Sequence, residues 1–284
     1  MNRYVRVLRN VVKIIYWASP FIVFRFLLTV RNSGEISKSI RFHRSHKIIF
    51  VEEIDKSAID KLGIYVAKRT RLHLYFKGIR WRLNQISEQY LLSSIPSMKE
   101  SSGWIVDIGA NIGEFSLAVA EKTSNNKFLL IEPSKSEMFA ARKNLQSYPA
   151  HFVSTALWNE EKELLFYHAN ETGDSSLLPA NLSRPSEVIH VRTLDSLISE
   201  FQITEIDILK VEAEGAEPEI LEGATQALKI SKYVTADLGP ERGIGEARTY
   251  EECREILVSA GFVEIARFPG GRETYLFRNK NYDA

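Results

Sequence analysis

Three ionisable residues alternate in Lys210-Val211-Glu212-Ala213-Glu214, and Gly215 follows them. In an extended chain every second side chain shares a face, so an ammonium and two carboxylates would line one side of a strand end. Such groups are costly to bury without a use. Together they can orient a substrate hydroxyl, take its proton, or hold a cation. A second constellation lies upstream, in Ile105-Val106-Asp107-Ile108-Gly109-Ala110-Asn111-Ile112-Gly113. An apolar run ends on an acid and continues through two glycines before the next apolar-periodic segment. Glycine tolerates φ > 0 and lets backbone approach a ligand closely. The free N–H groups of a following helix face the same place. Glu132 closes the next apolar run, 19 residues after Gly113. That is near the ~20-residue offset at which an acid reaches ribose hydroxyls in nucleotide-binding folds.

The glycine spacing is G-x-x-x-G, with Asn111 where the dinucleotide fingerprint has its middle glycine. A turn of this kind need not seat a pyrophosphate. Asp107 would repel a phosphate but can accept hydrogen bonds from an ammonium group. A cofactor with a ribose and an amino-acid tail but no phosphate satisfies both acids, and S-adenosylmethionine has that chemistry.

The elements that must position these residues form a regular alternation. Strands are expected at 104–107, 127–131, 151–154, 206–210 and 233–237, and helices at 113–122, 134–146, 192–201, 216–229 and 249–260. This pattern implies βαβ units and a mostly parallel sheet. Ligands then bind at the carboxyl ends of the strands, at Asp107, Glu132, Ser154, Lys210 with Glu212 and Glu214, and Asp237. Two β-like runs, 164–167 and 188–192, interrupt the alternation. A terminal antiparallel hairpin, 263–268 and 273–277, flanks Pro269-Gly270-Gly271. Further upstream, 48–53 and 63–68 read as short strands, 71–75 and 79–83 as a hairpin about Lys77-Gly78, and 86–95 as a helix. The expected division is a basic amphipathic segment over 1–47, a small β extension over 48–85 and a cofactor-binding domain over 86–284.

The net charge of +1 conceals an asymmetry. Residues 1–82 carry 18 Lys and Arg against 5 Asp and Glu, and the remainder carries 19 against 31. An imbalance of this kind points to an anionic partner for the N-terminal part. Arg3, Arg6, Arg9 and Lys13 recur at helical spacing beside an aliphatic face, and residues 11–30 are largely apolar. Lys13, Pro20 and Arg25 disfavour a spanning helix. A helix over residues 1–30 lying on an anionic membrane fits, with packing on protein as the plainer reading. A cytoplasmic chain, peripheral at the inner membrane face, is the expectation. Aliphatic rather than stacking residues between the cations argue against nucleic acid. A lone cysteine, Cys253, excludes a disulfide framework and Cys-based zinc clusters.

Asp107 to Gly113, Glu132-Pro133, Ala156-Leu157, Ser175-Ser176-Leu177, Thr193-Leu194-Asp195 and Lys210 to Glu217 occur in the order seen in FkbM-like S-adenosylmethionine-dependent methyltransferases, which the chain resembles over about 78–240. One departure is Glu212, where the family usually has Asp. The resemblance implies a class I (Rossmann-like) α/β fold and O-methyl transfer to a sugar, glycolipid or other hydroxylated small molecule. It implies that Gly109, Asn111 and Gly113 shape the cofactor turn and that Asp107 holds the amino-acid end. Glu132 would bind the ribose, and Ser154 to Leu157, with Ser154 and Ala156 at its polar and small positions, would border the adenine. Glu212 or Glu214 would be the base, with Lys210 holding the carboxylate or the substrate.

Glu212, Glu214 and Asp237 are also oxygen donors suited to Mg²⁺. Glu217 and Glu219 suit a helix N-terminus. His151, His168 and His190 read as structural. The 173–176 loop reads as a lid or a simple turn, and Tyr75, Phe76 and Trp81 as a sugar platform or core. Two other functions compete, a nicotinamide-dependent oxidoreductase and a membrane-associated binding protein with a degenerate site.

Overall fold

The computed structural model describes residues 38–45, 48–55, 61–75, 77–96, 102–169, 175–179 and 181–282. The readings made for residues 1–30 and for Phe76 lie outside these. Two compact units divide between Arg82 and Leu83.

The first unit holds a three-stranded antiparallel meander of β1 (Lys38–Ser45), β2 (Ile48–Asp55) and β3 (Lys61–Val66). Ile49 and Val51 on β2, and Ile64 and Val66 on β3, are buried at the two-residue period of strands. β1 falls within 38–47, which reads in sequence as part of the basic segment. It pairs along its whole length with β2, from Lys38 opposite Asp55 to Ser45 opposite Ile48. The hairpin expected about Lys77-Gly78 is corrected. Residues Arg69–Tyr75 form a 3-10 helix, and α1 (Ile79–Gln89) follows Gly78, whose φ is 106°. Ile79, Leu83, Ile86 and Tyr90 lie four, three and four residues apart and are all buried. That helical period overrides the short β-like runs.

In the second unit the alternation expected from sequence is present. It runs β4 (Trp104–Ile108), α2 (Glu114–Ala120), β5 (Lys127–Ile131), α3 (Lys135–Asn144) and β6 (Ala150–Val153). A separate antiparallel pair follows, β7 (Lys162–Tyr167) with β8 (Ser186–Val191). Next come α4 (Leu194–Glu200), β9 (Ile206–Val211), α5 (Glu217–Glu222), α6 (Thr225–Lys229) and β10 (Ser231–Asp237). The small pair β11 (Pro240–Arg242) and β12 (Ala247–Arg248) leads to α7 (Tyr250–Ser259), β13 (Phe262–Arg267) and β14 (Thr274–Asn279).

The seven-stranded sheet has the order β13-β14-β10-β9-β4-β5-β6, and β14 runs antiparallel to both of its neighbours, β10 and β13. From β4 the chain winds first toward β6 and then, from β9, the other way. β4 and β9 therefore flank the switch point at which doubly wound sheets bind ligands. Asp107 and Lys210 are direct partners across it.

Helices cover the sheet, and the centre of the core is Val106, Leu129, Leu209, Val211, Val234 and Leu221, each 0% exposed. The single helix expected over 216–229 is two, broken at Gly223, where an added Cβ would lie 2.4 Å from the Trp158 carbonyl oxygen. Asp195 caps the second of them. Its carboxylate accepts hydrogen bonds from the Gln226 and Ala227 amides and from Thr225 Oγ1. Thr193 caps its own helix, accepting from the Ser196 amide at 3.1 Å. The Thr193-Leu194-Asp195 motif is thus a pair of helix caps.

Candidate active site

Lys210 lies next to the end of β9 with its ammonium buried. It donates to the Ile108 and Gly109 carbonyls at 3.0 and 2.7 Å, and pairs with Asp107 at 3.2 Å and Glu212 at 3.1 Å. Burial opposes the charge, but the two carboxylates outweigh it and hold the Lys210 pKa above its ordinary value. Asp107, 0% exposed, also accepts from Ser116 Oγ at 2.7 Å. Lys210 ties the first glycine turn to the acidic segment after β9.

Gly109, Asn111 and Gly113 all have positive φ, at 68°, 50° and 83°. The two glycines answer to protein atoms. A Cβ on Gly109 would sit 1.9 Å from the Glu212 carbonyl oxygen, and one on Gly113 would sit 2.5 Å from Leu145 Cδ1. Their bare sides are what lets the β9 loop and the end of α3 close on the turn. Asn111 turns its amide to Glu132 Oε2 at 2.9 Å, and Ser134 donates its amide to Glu132 Oε1 at 2.8 Å. Glu132 is thus fixed by main-chain donors at the end of β5. Burial pushes its pKa up to about 7. Ser154 is exposed just past β6, whereas Ala156 is buried, and its carbonyl accepts from the Arg192 amide.

The loop after β9 is clamped from several sides. The extended chain stops at Val211, and Glu214 takes φ 51°. The face expected to be shared by Lys210, Glu212 and Glu214 therefore joins only the first two in an ion pair. Ser176 Oγ donates to the Glu214 carbonyl at 3.0 Å, so this part of the expected lid loop anchors the segment. Glu217 is a buried brace: its Oε1 accepts from the Ala213 and Gly215 amides and its Oε2 from Thr249 Oγ1. Arg242 grips Glu219 through both guanidinium ends and donates to the Gly215 carbonyl at 2.6 Å. An added Cβ on Gly215 would meet Arg242 Cα at 2.5 Å.

Glu212 accepts from Tyr90 Oη on one oxygen and from Arg272 Nη1 at 2.8 Å on the other. Burial alone would raise its pKa, but Lys210 and Arg272 win and hold it at about 2. Arg272 Nη1 also donates to Asp237 Oδ2 at 2.8 Å. The cation between Glu212 and Asp237 is a guanidinium, beside carboxylates that read in sequence as possible Mg²⁺ donors. Among the described residues no three His, Cys, Asp or Glu converge to hold a metal ion. Burial, with Asp237, Glu212 and Glu217 adding to it, pushes half-buried Glu241 up to about 8.

Tyr90, Glu241 and Arg272 were not singled out from sequence. Arg272 carried a readable signal. β14 is antiparallel, so the residues leading into it lie at the carboxyl ends of the parallel strands. Tyr90 carried none, being 122 residues from its partner Glu212. His151 packs between the Trp104 and Phe201 rings, a structural setting as expected. No helix among the described residues is long and apolar enough to cross a membrane.

The family model described as the methyltransferase FkbM domain matches residues 107–264, more than half of the chain, and the chain belongs to that family. The 2-O-methyltransferase NoeI of Sinorhizobium fredii is 20% identical over 77% of this chain and 96% of its own length. The methyltransferase sdnD of Sordaria araneosa is 25% identical over 59% of this chain and 74% of its own. A solved S-adenosylmethionine-dependent methyltransferase from Aquifex aeolicus superposes with a TM-score of 0.41 and 13% identity, covering 74% of this chain and 92% of that one. The family overturns the nicotinamide reading. The chain is an S-adenosylmethionine-dependent methyltransferase.

Proposed function

We propose that this FkbM-family methyltransferase methylates a hydroxyl oxygen of a sugar, glycolipid or similar hydroxylated small molecule. The observation that carries the reading is the charge line Asp107–Lys210–Glu212. It joins a turn built for a cofactor to carboxylates suited to hydroxyl groups at the neighbouring strand ends. The name of NoeI, a 2-O-methyltransferase, supports oxygen as the acceptor atom.

The residues fit the cofactor. Glu132 has each oxygen fixed by one main-chain amide and is placed to accept from a ribose diol. Ser154 and Ala156 would border the adenine, and Asp107 acts on the amino-acid end through the groups it holds. When bound, the cofactor supplies an electrophilic methyl group on a sulfonium. The chain's own contribution is alignment and proton removal. Glu212, held at about 2, is too weakly basic for that proton and instead orients Tyr90 and Arg272. Glu241, raised to about 8, is a stronger base than an ordinary carboxylate, and its ionised, proton-accepting form prevails above that pH. For residues 1–30 the reading remains a peripheral contact with an anionic membrane at the cytoplasmic face, supported by the charge excess of residues 1–82.

The test uses methyl-tritiated cofactor with a panel of glycosides, glycolipids, amines and nucleic acids. Label in an alkali-stable methyl ether, lost in Glu241→Gln with retained affinity for S-adenosylhomocysteine, is the expected result. Transfer to nitrogen or to nucleic acid alone would overturn it.

A further inference from the structure

One guanidinium nitrogen bridges the side chains at the carboxyl ends of β9 and β10. Arg272 Nη1 is 2.8 Å from Glu212 Oε1 and 2.8 Å from Asp237 Oδ2. The two carboxylate oxygens thus lie on either side of one positive group. Asp237 is 2% exposed, and its pair with Glu212 would be strongly repulsive without a cation. Arginine is suited to the place, since its charge does not titrate away and its fork offers five donors. The Arg272 side chain is still 47% exposed, so it also meets whatever enters the site from solvent.

We propose that Arg272 is the resident cation of the acceptor side. It is a positioning residue that fills the place a divalent ion would take, and it holds Glu212 and Asp237 in register for an incoming hydroxyl. The inference rests on the acceptor side lying at these strand ends, as proposed above. The hairpin between β13 and β14 thereby becomes part of the site. The groups that act on nearby Glu241 are Asp237 on β10, Glu212 after β9, Glu217 on α5 and Arg272 itself. Arg272 is the one cation among them, so its loss moves the Glu241 titration upward.

The test is Mn²⁺ binding followed by electron paramagnetic resonance, with S-adenosylhomocysteine affinity measured by calorimetry on the same samples. The wild-type chain is expected to take up no Mn²⁺ at this site. Arg272→Ala should gain one Mn²⁺ per chain, Arg272→Ala/Asp237→Asn should lose it again, and Arg272→Lys should exclude it as the wild type does. S-adenosylhomocysteine affinity should stay within twofold throughout. If Arg272→Ala does not accumulate, Arg272→Gln removes the charge while keeping bulk, with the same expectation. Mn²⁺ binding by the wild type that Asp237→Asn abolishes would overturn the proposal. So would a folded, cofactor-binding Arg272→Ala or Arg272→Gln chain that takes up none. Failure of the wild type to bind S-adenosylhomocysteine would instead sink the cofactor reading.

Discussion

The turn from Asp107 to Gly113 and the loop from Lys210 to Glu217 are both strand–glycine–helix junctions at the same edge of one sheet, yet they are built from different materials. The first positions its acid with main chain: Glu132 receives one amide from the turn and one from the start of α3. The second positions its acids with side chains, namely Lys210, Tyr90 and Arg272 on Glu212. The consequence shows in proton affinity. Burial carries Glu132 up to about 7, while surrounding cations carry Glu212 down to about 2. A carboxylate held by backbone amides keeps its lone pairs for a diol. A carboxylate held by cations is committed to the architecture.

The contrast can be broken most sharply where the two junctions touch. Gly109→Ala puts a Cβ onto the Glu212 carbonyl at a positive φ. Strain and overpacking together should cost about 4 kcal/mol or more in denaturant unfolding, or leave the chain insoluble. A loss below about 1 kcal/mol would mean the junctions separate easily. Lys210→Met removes the shared ammonium. Asp107 would then be buried without its cation, whereas Glu212 keeps Arg272, so the expected loss is about 3 kcal/mol, the low end for a broken buried pair.

The smallest effect concerns pH. Burial raises the Glu132 pKa, so the ionised form that accepts from a diol prevails only above about 7. Affinity for S-adenosylhomocysteine should therefore rise with pH, by about tenfold from pH 6 to pH 8. Calorimetry at those pH values on the wild type and on Glu132→Gln checks this. A flat wild-type profile would remove the ionised Glu132 from the cofactor's contacts.

What was legible in sequence follows the same division. The alternation of strands and helices, the glycine turn and the offset to Glu132 are local spacings, and all could be read along the chain. The core strands 127–131 and 206–210 needed only their apolar runs. The proposed acceptor side could not be read that way, because Tyr90, Glu212, Asp237, Glu241 and Arg272 come from separate elements, whose meeting depends on which strands become neighbours. Glu212 and Asp237 were visible as strand-end carboxylates, but not the guanidinium that a later hairpin brings between them. Glu217 reads as a helix-terminus charge and stands in the first turn of α5; its second role, as a buried brace of the loop, depends on Ala213, Gly215 and Thr249 and was not legible. Gly223 broke an expected helix because a distant carbonyl, that of Trp158, needs the room.

β14 follows β10 and β13 along the chain but lies between them in the sheet. During synthesis, β10 is therefore made with one edge bare, and it keeps that edge until β14 has emerged and slid in beside it. An open strand edge is a template for pairing with other chains. Arg272 leads directly into β14, so sealing that edge and neutralising Glu212 and Asp237 happen in one event. A nascent chain stalled before Arg272 would lack the guanidinium shared by Glu212 and Asp237 and leave the β10 edge open to a neighbour.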